Sequence, residues 1–292
     1  MKPIVFLLLL TFTTGHAQTS VDSVAIHQAK WEIQEIAKGI QWRKTHFQQK
    51  ELFNANQSIN ILEIPVKNRR HRWAVITADS LEKKDKAKGQ LRPTSTLAKE
   101  HNALVAINGG FFDVKNGGSV DFIKVNGKIV DTTRIKKGQK AAFHGQAAIV
   151  VHRNRLHILK GQPTVGWEYT LPYRDVMLAG PLLMLNGTDE VLPKNAFNDN
   201  RHPRSCACVT NTKKVLLITV DGRSAESYGM NLAELTFLAR QLGCRDALNL
   251  DGGGSTTLWI DGKGVVNYPS DNKKFDHEGE RAVSNALVLK RK

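Results

Sequence analysis

Asn249-Leu250-Asp251-Gly252-Gly253-Gly254-Ser255-Thr256-Thr257 is the stretch on which the reading of this chain turns. Apolar Ala247-Leu248 leads into it, and Leu258-Trp259-Ile260, a strand pattern, leads out. Three successive glycines are costly, because glycine loses the most backbone freedom on folding. Such a run is kept where the backbone takes φ > 0 or where another group must approach closely. Asn249 and Asp251 alternate about Leu250, so both polar side chains point to one face of an extended segment. Ser255, Thr256 and Thr257 add hydroxyls and backbone N–H groups. A carboxylate, an amide, hydroxyls and a bare backbone cradle therefore sit side by side. A tight Asx-capped turn is the plainer reading of the same residues.

Other turns carry the same chemistry. The buried-type run Ala103 to Ile107 leads into Asn108-Gly109-Gly110-Phe111-Phe112-Asp113. Arg201-His202-Pro203-Arg204 precedes the strand-like Cys206 to Thr210, and Lys214 to Val220 ends at Asp221-Gly222-Arg223. Arg281, in Glu280-Arg281-Ala282-Val283, opens the last strand. Loops on a rigid sheet edge are where binding groups sit, so these turns are expected at one mouth of a sheet.

Between them the chain reads as hairpins. Asn126-Gly127 is a type I′ pair inside Phe122 to Thr132, and Arg153-Asn154 turns the next hairpin. Strands are expected over Gly39 to Arg43, Ser58 to Val66, Trp73 to Ile76 and Ala282 to Leu289, while Val176 to Leu185 contains Ala179-Gly180-Pro181 and ends at Asn186-Gly187. A short helix follows Pro93-Thr94-Ser95-Thr96. Asn231 to Leu242 is the clearest helix: Asn231 and Glu234 form a capping box, Leu232, Leu235, Leu238 and Leu242 form one face, and Gly243 stops it. Many hairpins with few helices predict an α+β fold, a mainly antiparallel or mixed sheet with a few packed helices in a single large domain.

The first residues read as a targeting leader: Lys2, an apolar run from Ile4 to Leu10, and Gly15-His16-Ala17 before a cut. The expected organisation is a signal peptide over 1–17, an N-terminal extension over 18–57 and the main domain over 58–292, exported to the periplasm or outside the cell. No segment is long enough for a membrane-spanning helix. The formal charge is +15, lowered by one if Lys2 leaves with the leader. That favours an anionic partner such as a phosphorylated glycan. No zinc-finger pattern, RNP-like motif or basic heptad is present, so nucleic acid is not expected. Three cysteines, Cys206, Cys208 and Cys244, do not make a disulfide framework. Small buried core residues are the favoured reading, with a bridge from Cys244 to one of the others as the alternative.

Taken together, the ordered motifs resemble a known family. Ala106-Ile107-Asn108-Gly109-Gly110-Phe111-Phe112, Arg201-His202-Pro203-Arg204, Val220-Asp221-Gly222-Arg223 and Asn249 to Thr256 look like the phosphodiester glycosidase domain of the lysosomal uncovering enzyme and of exported bacterial proteins. Met230 to Leu235 and Glu280 to Ala286 match as well, so the likeness covers about residues 95–290. Cys206 and Cys208 depart from the small non-thiol residues usual there. The resemblance implies hydrolysis of a sugar-1-phosphodiester, on a phosphorylated glycan or an exopolysaccharide.

Breaking a glycosyl–phosphate bond builds positive charge at the anomeric carbon, while the leaving group is already an anion. Such a site needs a carboxylate near the sugar and cations or N–H dipoles on the phosphate. Asp251 and Asp221 are the carboxylate candidates, with Glu234 as a third that also reads as a helix cap. Arg204, Arg223 and Arg281 are candidate phosphate forks. Asn108, Gly109, Asn249, Gly252, Gly253, Gly254, Ser255 and Thr256 are candidate binding groups, the glycine backbone acting as an anion nest. Several of these also have plain structural readings. Asp221 before Gly222 shapes a turn, Arg204 and Asp251 form a buried ion pair, and Phe111 and Phe112 belong to the core. His202 is either an acid or a turn cap beside Pro203. Clustered Asp, Asn and backbone oxygens also suit calcium or magnesium, although no EF-hand spacing is present. Two other functions fit the residues: a metal-dependent phosphodiesterase cutting P–O, and a non-catalytic binder of acidic glycan.

Overall fold

Cys244–Asn249 (β16) and Ala103–Asn108 (β6) lead into the two asparagine–glycine turns. β6 is buried at every position and β16 at all but Arg245. Only strands covered on both faces tolerate such apolar runs, so each lies inside a sheet that is packed on both sides. The computed structural model describes residues 14–79, 89–134 and 147–292. The expected leader falls almost wholly outside the described residues, and the charged segment Glu82–Lys88 falls wholly outside them.

The first sheet holds eight strands. In spatial order they are Glu32–Ala37 (β1), Ile40–Leu52 (β2), Ala55–Pro65 (β3), Lys214–Val220 (β15), Arg204–Thr210 (β14), β16, Leu182–Leu185 (β12) and Thr188–Asp189 (β13). The second runs Arg155–Lys160 (β10), Ala147–His152 (β9), Asp175–Ala179 (β11), Ile123–Val125 (β7) and Lys128–Asp131 (β8). The third runs Gly264–Val265 (β18), Leu258–Ile260 (β17), β6, Asn285–Arg291 (β20) and His71–Thr77 (β4). Arg92–Pro93 (β5) pairs with Ala282–Val283 (β19). Every pairing between these strands is antiparallel, so the mixed option of the α+β expectation is not used. The hairpin turns are those the sequence predicts: Asn126 and Gly127 both have positive φ, as do Arg153 and Asn154.

Inward faces of all three sheets meet in one core that includes Leu62, Val75, Ile107, Ile149, Leu217, Leu248 and Leu287. Among the described residues, four α-helices lie around them: Thr14–Gln28 (α1), Thr94–Glu100 (α2), Ala196–Asp199 (α3) and Leu232–Gln241 (α4). α4 packs Leu232, Leu235 and Leu238 on Ile59, Ile61, Cys206 and Ile218, the outer face of the first sheet. At about 2 kcal/mol per buried leucine, that face outweighs the roughly 1 kcal/mol of its capping box. α2 buries Leu97 on the outer face of the third sheet, against Ala106 and Val288. No helix of the described residues is long and apolar enough to cross a membrane.

Two expectations are corrected, and one stretch is refined. Residue 57, the expected end of an N-terminal extension, lies inside β3, and β1 and β2 precede it in the same sheet. Residues from Glu32 onward are therefore built into the domain, because β2 pairs with β3 from Gln41↔Glu63 to Leu52↔Ala55. Ala179-Gly180-Pro181 is where the stretch Val176 to Leu185 divides into two strands in two sheets, β11 and β12. Pro181 has no N–H to continue a ladder. The cysteines are not all reduced: Cys208 and Cys244 form a disulfide and Cys206 is free and buried. A register shift between Val209 and Thr210 pairs Thr210 with Cys244, which brings the Cys208 and Cys244 Cα atoms to 5.8 Å.

Candidate active site

The asparagine at each buried strand end works as a rivet between sheets. Asn108 and Asn249 are both fully buried. Asn108 Nδ2 donates to the Asp251 carbonyl (2.7 Å), and its Oδ1 accepts from Ser205 Oγ (2.6 Å) and the Thr257 N–H (3.1 Å). Asn249 Nδ2 donates to the carbonyls of Gly180 (2.8 Å) and Leu250 (2.7 Å). The Asp251 N–H reaches the Gly109 carbonyl at 3.0 Å, and the Gly253 N–H reaches that of Pro203 at 2.8 Å. The ends of β6 and β16 and the starts of β14 and β17 are thereby joined around the glycine loop.

Asp221 closes the same assembly from β15. It is wholly buried and accepts from Ser58 Oγ (2.7 Å), Asn267 Nδ2 (2.9 Å) and the Tyr268 N–H (2.8 Å). Burial pushes its carboxyl above the usual range, against the lowering effect of those three donors and of His277. No part of Asp221 reaches solvent, and its hydrogen bonds tie β3, the turn after β15 and the loop at Asn267 together.

The three glycines answer to three different neighbours. A Cβ at Gly252 would come within 2.6 Å of the Pro203 carbonyl oxygen. One at Gly253, whose φ is +62°, would come within 2.8 Å of Arg223 Nη2, and one at Gly254 within 2.6 Å of Arg281 Nη2. Two guanidinium groups therefore lie against the loop, Arg223 exposed and Arg281 half-buried. Arg281 is paired with Asp271, and that hydrogen bond first, then the charges of Asp271 and Asp251, raises it above its ordinary value. Asp251 itself is half-buried, and its Oδ1 accepts from the Gly252 N–H at 3.0 Å. His202 stands beside this rim. Burial, then Arg204 and Arg223, hold its imidazole below the usual value, which favours the neutral form.

The comparisons with known proteins bear on this arrangement. The phosphodiester glycosidase family matches residues 101–290, which hold the glycine loop, both arginines and the two asparagine rivets. The chain belongs to this family. A stretch of 89 residues is 36% identical to the SPbeta prophage-derived uncharacterized protein YomE of Bacillus subtilis (strain 168), covering 30% of this chain and 13% of that one. Over 183 residues it is 24% identical to N-acetylglucosamine-1-phosphodiester alpha-N-acetylglucosaminidase of Mus musculus, covering 58% of this chain and 34% of the mouse protein. The chain thus spans about a third or less of these curated relatives. The catalytic domain of the zebrafish enzyme of that name, auto-inhibited by its pro-peptide, shares the fold, with a TM-score of 0.62 and 20% identity over 94% of this chain and 93% of that one. A hypothetical protein from Synechocystis superposes with a TM-score of 0.65 and 17% identity over 90% of this chain and 64% of that one.

Within this member of the phosphodiester glycosidase family, several candidates stand away from the rim. Arg204 is 1% exposed, and its Nε donates to the Met230 carbonyl (2.8 Å) while Nη2 donates to those of Phe197 (2.6 Å) and Asn200 (3.0 Å). It braces α3 and the start of α4 from within, and burial lowers it to about 10. Glu234 receives Arg201 through Nε and Nη2 and the Asn231 N–H, so it caps α4 and holds a second arginine. Ser255 and Thr256 are buried beneath the loop. The amides of Gly252, Gly253 and Ser255 are taken by Asp251 Oδ1, Pro203 and Gly252 respectively. Three of the four amides of the expected anion nest are therefore already taken, and the cationic rim is made of side chains. Phe111 meets Phe197 edge-on at 5.9 Å.

Sequence reasoning passed over Asn267, Asp271 and Asn285. Asn285 Oδ1 accepts from the Gly110 N–H at 2.7 Å and lies where a Gly109 Cβ would be, which accounts for that glycine. Its signal was present in the closing motif Ser284-Asn285-Ala286. Asp271 lies in an exposed polar stretch with no local pattern. Among the described residues no group of three or more His, Cys, Asp and Glu side chains is placed to hold a metal ion.

Proposed function

We propose that this chain is an exported hydrolase that cleaves the glycosyl–phosphate bond of a sugar-1-phosphodiester on a glycan or exopolysaccharide. The observation that carries it is the rim itself: two guanidinium groups lie against Gly253 and Gly254, two and three residues past a half-buried carboxylate at Asp251. Arg223 and Arg281 bind the phosphate oxygens, Arg281 exchanging its Asp271 partner for the substrate. Asp251 faces the sugar, where its charge stabilises the cationic anomeric carbon, as nucleophile or as the base that takes the proton of water. The bridging oxygen leaves with the phosphate, and the oxygen of water ends on the sugar. Asp221, Asn108 and Asn249 hold the loop in place beneath. Export is supported by the leader pattern of the first 17 residues and by the Cys208–Cys244 disulfide, a bond that persists in oxidising compartments. The names of the mouse and zebrafish relatives make an N-acetylglucosamine-1-phosphodiester the first substrate to try.

Hydrolysis in heavy-oxygen water tests the reading. Label in the released sugar is expected. Label in the phosphate would replace it with a phosphodiesterase, for which activity lost to a chelator and restored by calcium or magnesium is the confirming result. Tight binding without turnover across a panel of sugar phosphodiesters would leave a glycan-binding protein.

A further inference from the structure

The far end of the third sheet carries a second charged concavity. A cleft of about 490 Å3 is lined by Arg72, Glu100, His101, Asn102, Lys290 and Arg291. β6 and β20 connect it to the glycine loop: Ala103 and Lys290 lie at the cleft end, Asn108 and Asn285 at the loop end. Five residues of strand at about 3.3 Å each place the two sites roughly 17 Å apart.

The ladder concentrates the charge. Lys290 stands directly opposite Arg72, and Arg291 opposite His71. Opposed residues share a face of the sheet, and like charges so placed repel. Arg69 and Arg70 precede this pair in sequence, Lys292 follows it, and the Lys292 N–H bonds the Arg70 carbonyl at 3.3 Å. Burial first and Arg72 second hold Lys290 below its ordinary value; burial and then Lys290 do the same to His101. Two neighbouring carboxylates are held in ion pairs: Glu100 with Arg92, and Asp261 with Arg291. Asp175, which accepts from the Asn126 N–H at 2.7 Å, offsets Lys290 and Arg72 only in part, since Lys290 stays below its ordinary value in spite of it. Two cations from adjacent strands, with His101 beside them, thus face a common space at a cost to the ladder that a bound anion would relieve.

We propose that this cleft is a second, non-catalytic site that binds anionic groups along a polymeric substrate. It rests on the reading of the glycine loop as the hydrolytic site. The chemistry is phosphate-like: Arg72 supplies a planar fork and Lys290 a point charge. A polyanion held here presents its next linkages to the loop at high effective concentration, whereas a monomeric diester gains nothing. The interaction weakens steeply with salt, because each neutralised anionic group releases counterions.

The probe is fluorescein-labelled short-chain inorganic polyphosphate, titrated into the full chain and followed by anisotropy across a salt series. Arg72→Gln/Lys290→Gln is compared with Lys38→Gln/Lys128→Gln, which removes the same charge from exposed lysines elsewhere. The cleft variant is expected to bind about thirtyfold more weakly at low salt, roughly fivefold per cation, and to lose about 1.4 from the log–log salt slope. The control is expected to change by less than about twofold. Equal losses in both variants, or none in the cleft variant, overturn the proposal. Removing opposed like charges should leave thermal stability unchanged or higher; if the double variant fails to fold, the two single substitutions are titrated instead. Polyphosphate binding that depends on the cleft in a protein that hydrolyses no sugar phosphodiester would retain the site and reject the hydrolase reading. Hydrolysis with cleft-independent binding would do the reverse.

Discussion

Removing the carboxylate of Asp221 separates a structural role from a chemical one. In Asp221→Ala the Asn267 Nδ2 and the Tyr268 N–H, both pointing at Oδ1, lose their acceptor, while the Ser58 hydroxyl can turn elsewhere. Each buried donor left unsatisfied costs about 1–3 kcal/mol, so the two together cost roughly 2–6 kcal/mol. At about 2 °C per kcal/mol for a chain of this size, Tm falls by roughly 4–12 °C. Asp221→Asn keeps an acceptor at the Oδ1 position and turns its amide N–H toward Ser58 Oγ, so its cost is about 1 kcal/mol and about 2 °C. Circular-dichroism melts with kcat and KM on a sugar phosphodiester give the comparison. Burial raises the folded-state value of Asp221, so its contribution is fully present below the unfolded value near 4 and is lost as pH rises through the folded value. The Tm gap between wild type and Asp221→Asn should therefore narrow from acid toward neutral pH. An Asp221→Ala protein melting within about 1 °C of wild type would refute the argument, as would a gap that widens. Wild-type stability in Asp221→Asn with kcat down on the order of 10³-fold would make Asp221 a reacting group.

Other substitutions test the remaining assignments. Asp251→Asn should lower kcat on the order of 10²-fold with Tm within about 2 °C of wild type, since the carboxylate sits on the rim; near-normal turnover in a folded protein removes it from the chemistry. Arg204→Lys should melt earlier by about 2–3 kcal/mol without a selective rise in KM, because one ammonium cannot span the carbonyls of Met230, Phe197 and Asn200; a KM effect at unchanged Tm would return Arg204 to the phosphate. Gly254→Ala should displace the Arg281–Asp271 pair and raise KM about tenfold with kcat nearly unchanged, measured by steady-state kinetics on the diester. Cys208→Ser should cost about 4 kcal/mol, from the chain entropy of the 36-residue separation, and a thiol count in denaturant should rise from one to two.

Local rules settled much of this protein from the residues alone. Asn126-Gly127 and Arg153-Asn154 turn hairpins because two adjacent residues with φ > 0 match strand twist. Asn231 and Glu234 cap α4 because the bonds span three residues. The asparagine–glycine turns at Asn108 and Asn249, and the arginines that follow Gly222 and Glu280, were legible because the polar group and the strand end it belongs to are neighbours in sequence. Which of those groups faces solvent was decided between strands distant in the chain. Arg204 looks like a phosphate fork until the carbonyls of α3 and Met230 surround it. Gly180-Pro181 marks a break in Val176 to Leu185, but that its two halves belong to different sheets is decided by tertiary packing. The Cys208–Cys244 bond depends on a register shift in β14 that no spacing encodes. Asp271, which holds Arg281, and Asn267, which holds Asp221, acquire their roles from partners 10 and 46 positions away. Burial, charge and hydrogen-bond commitment are properties of the packed neighbourhood, and the sequence pattern carries only the side chain's own half of each contact.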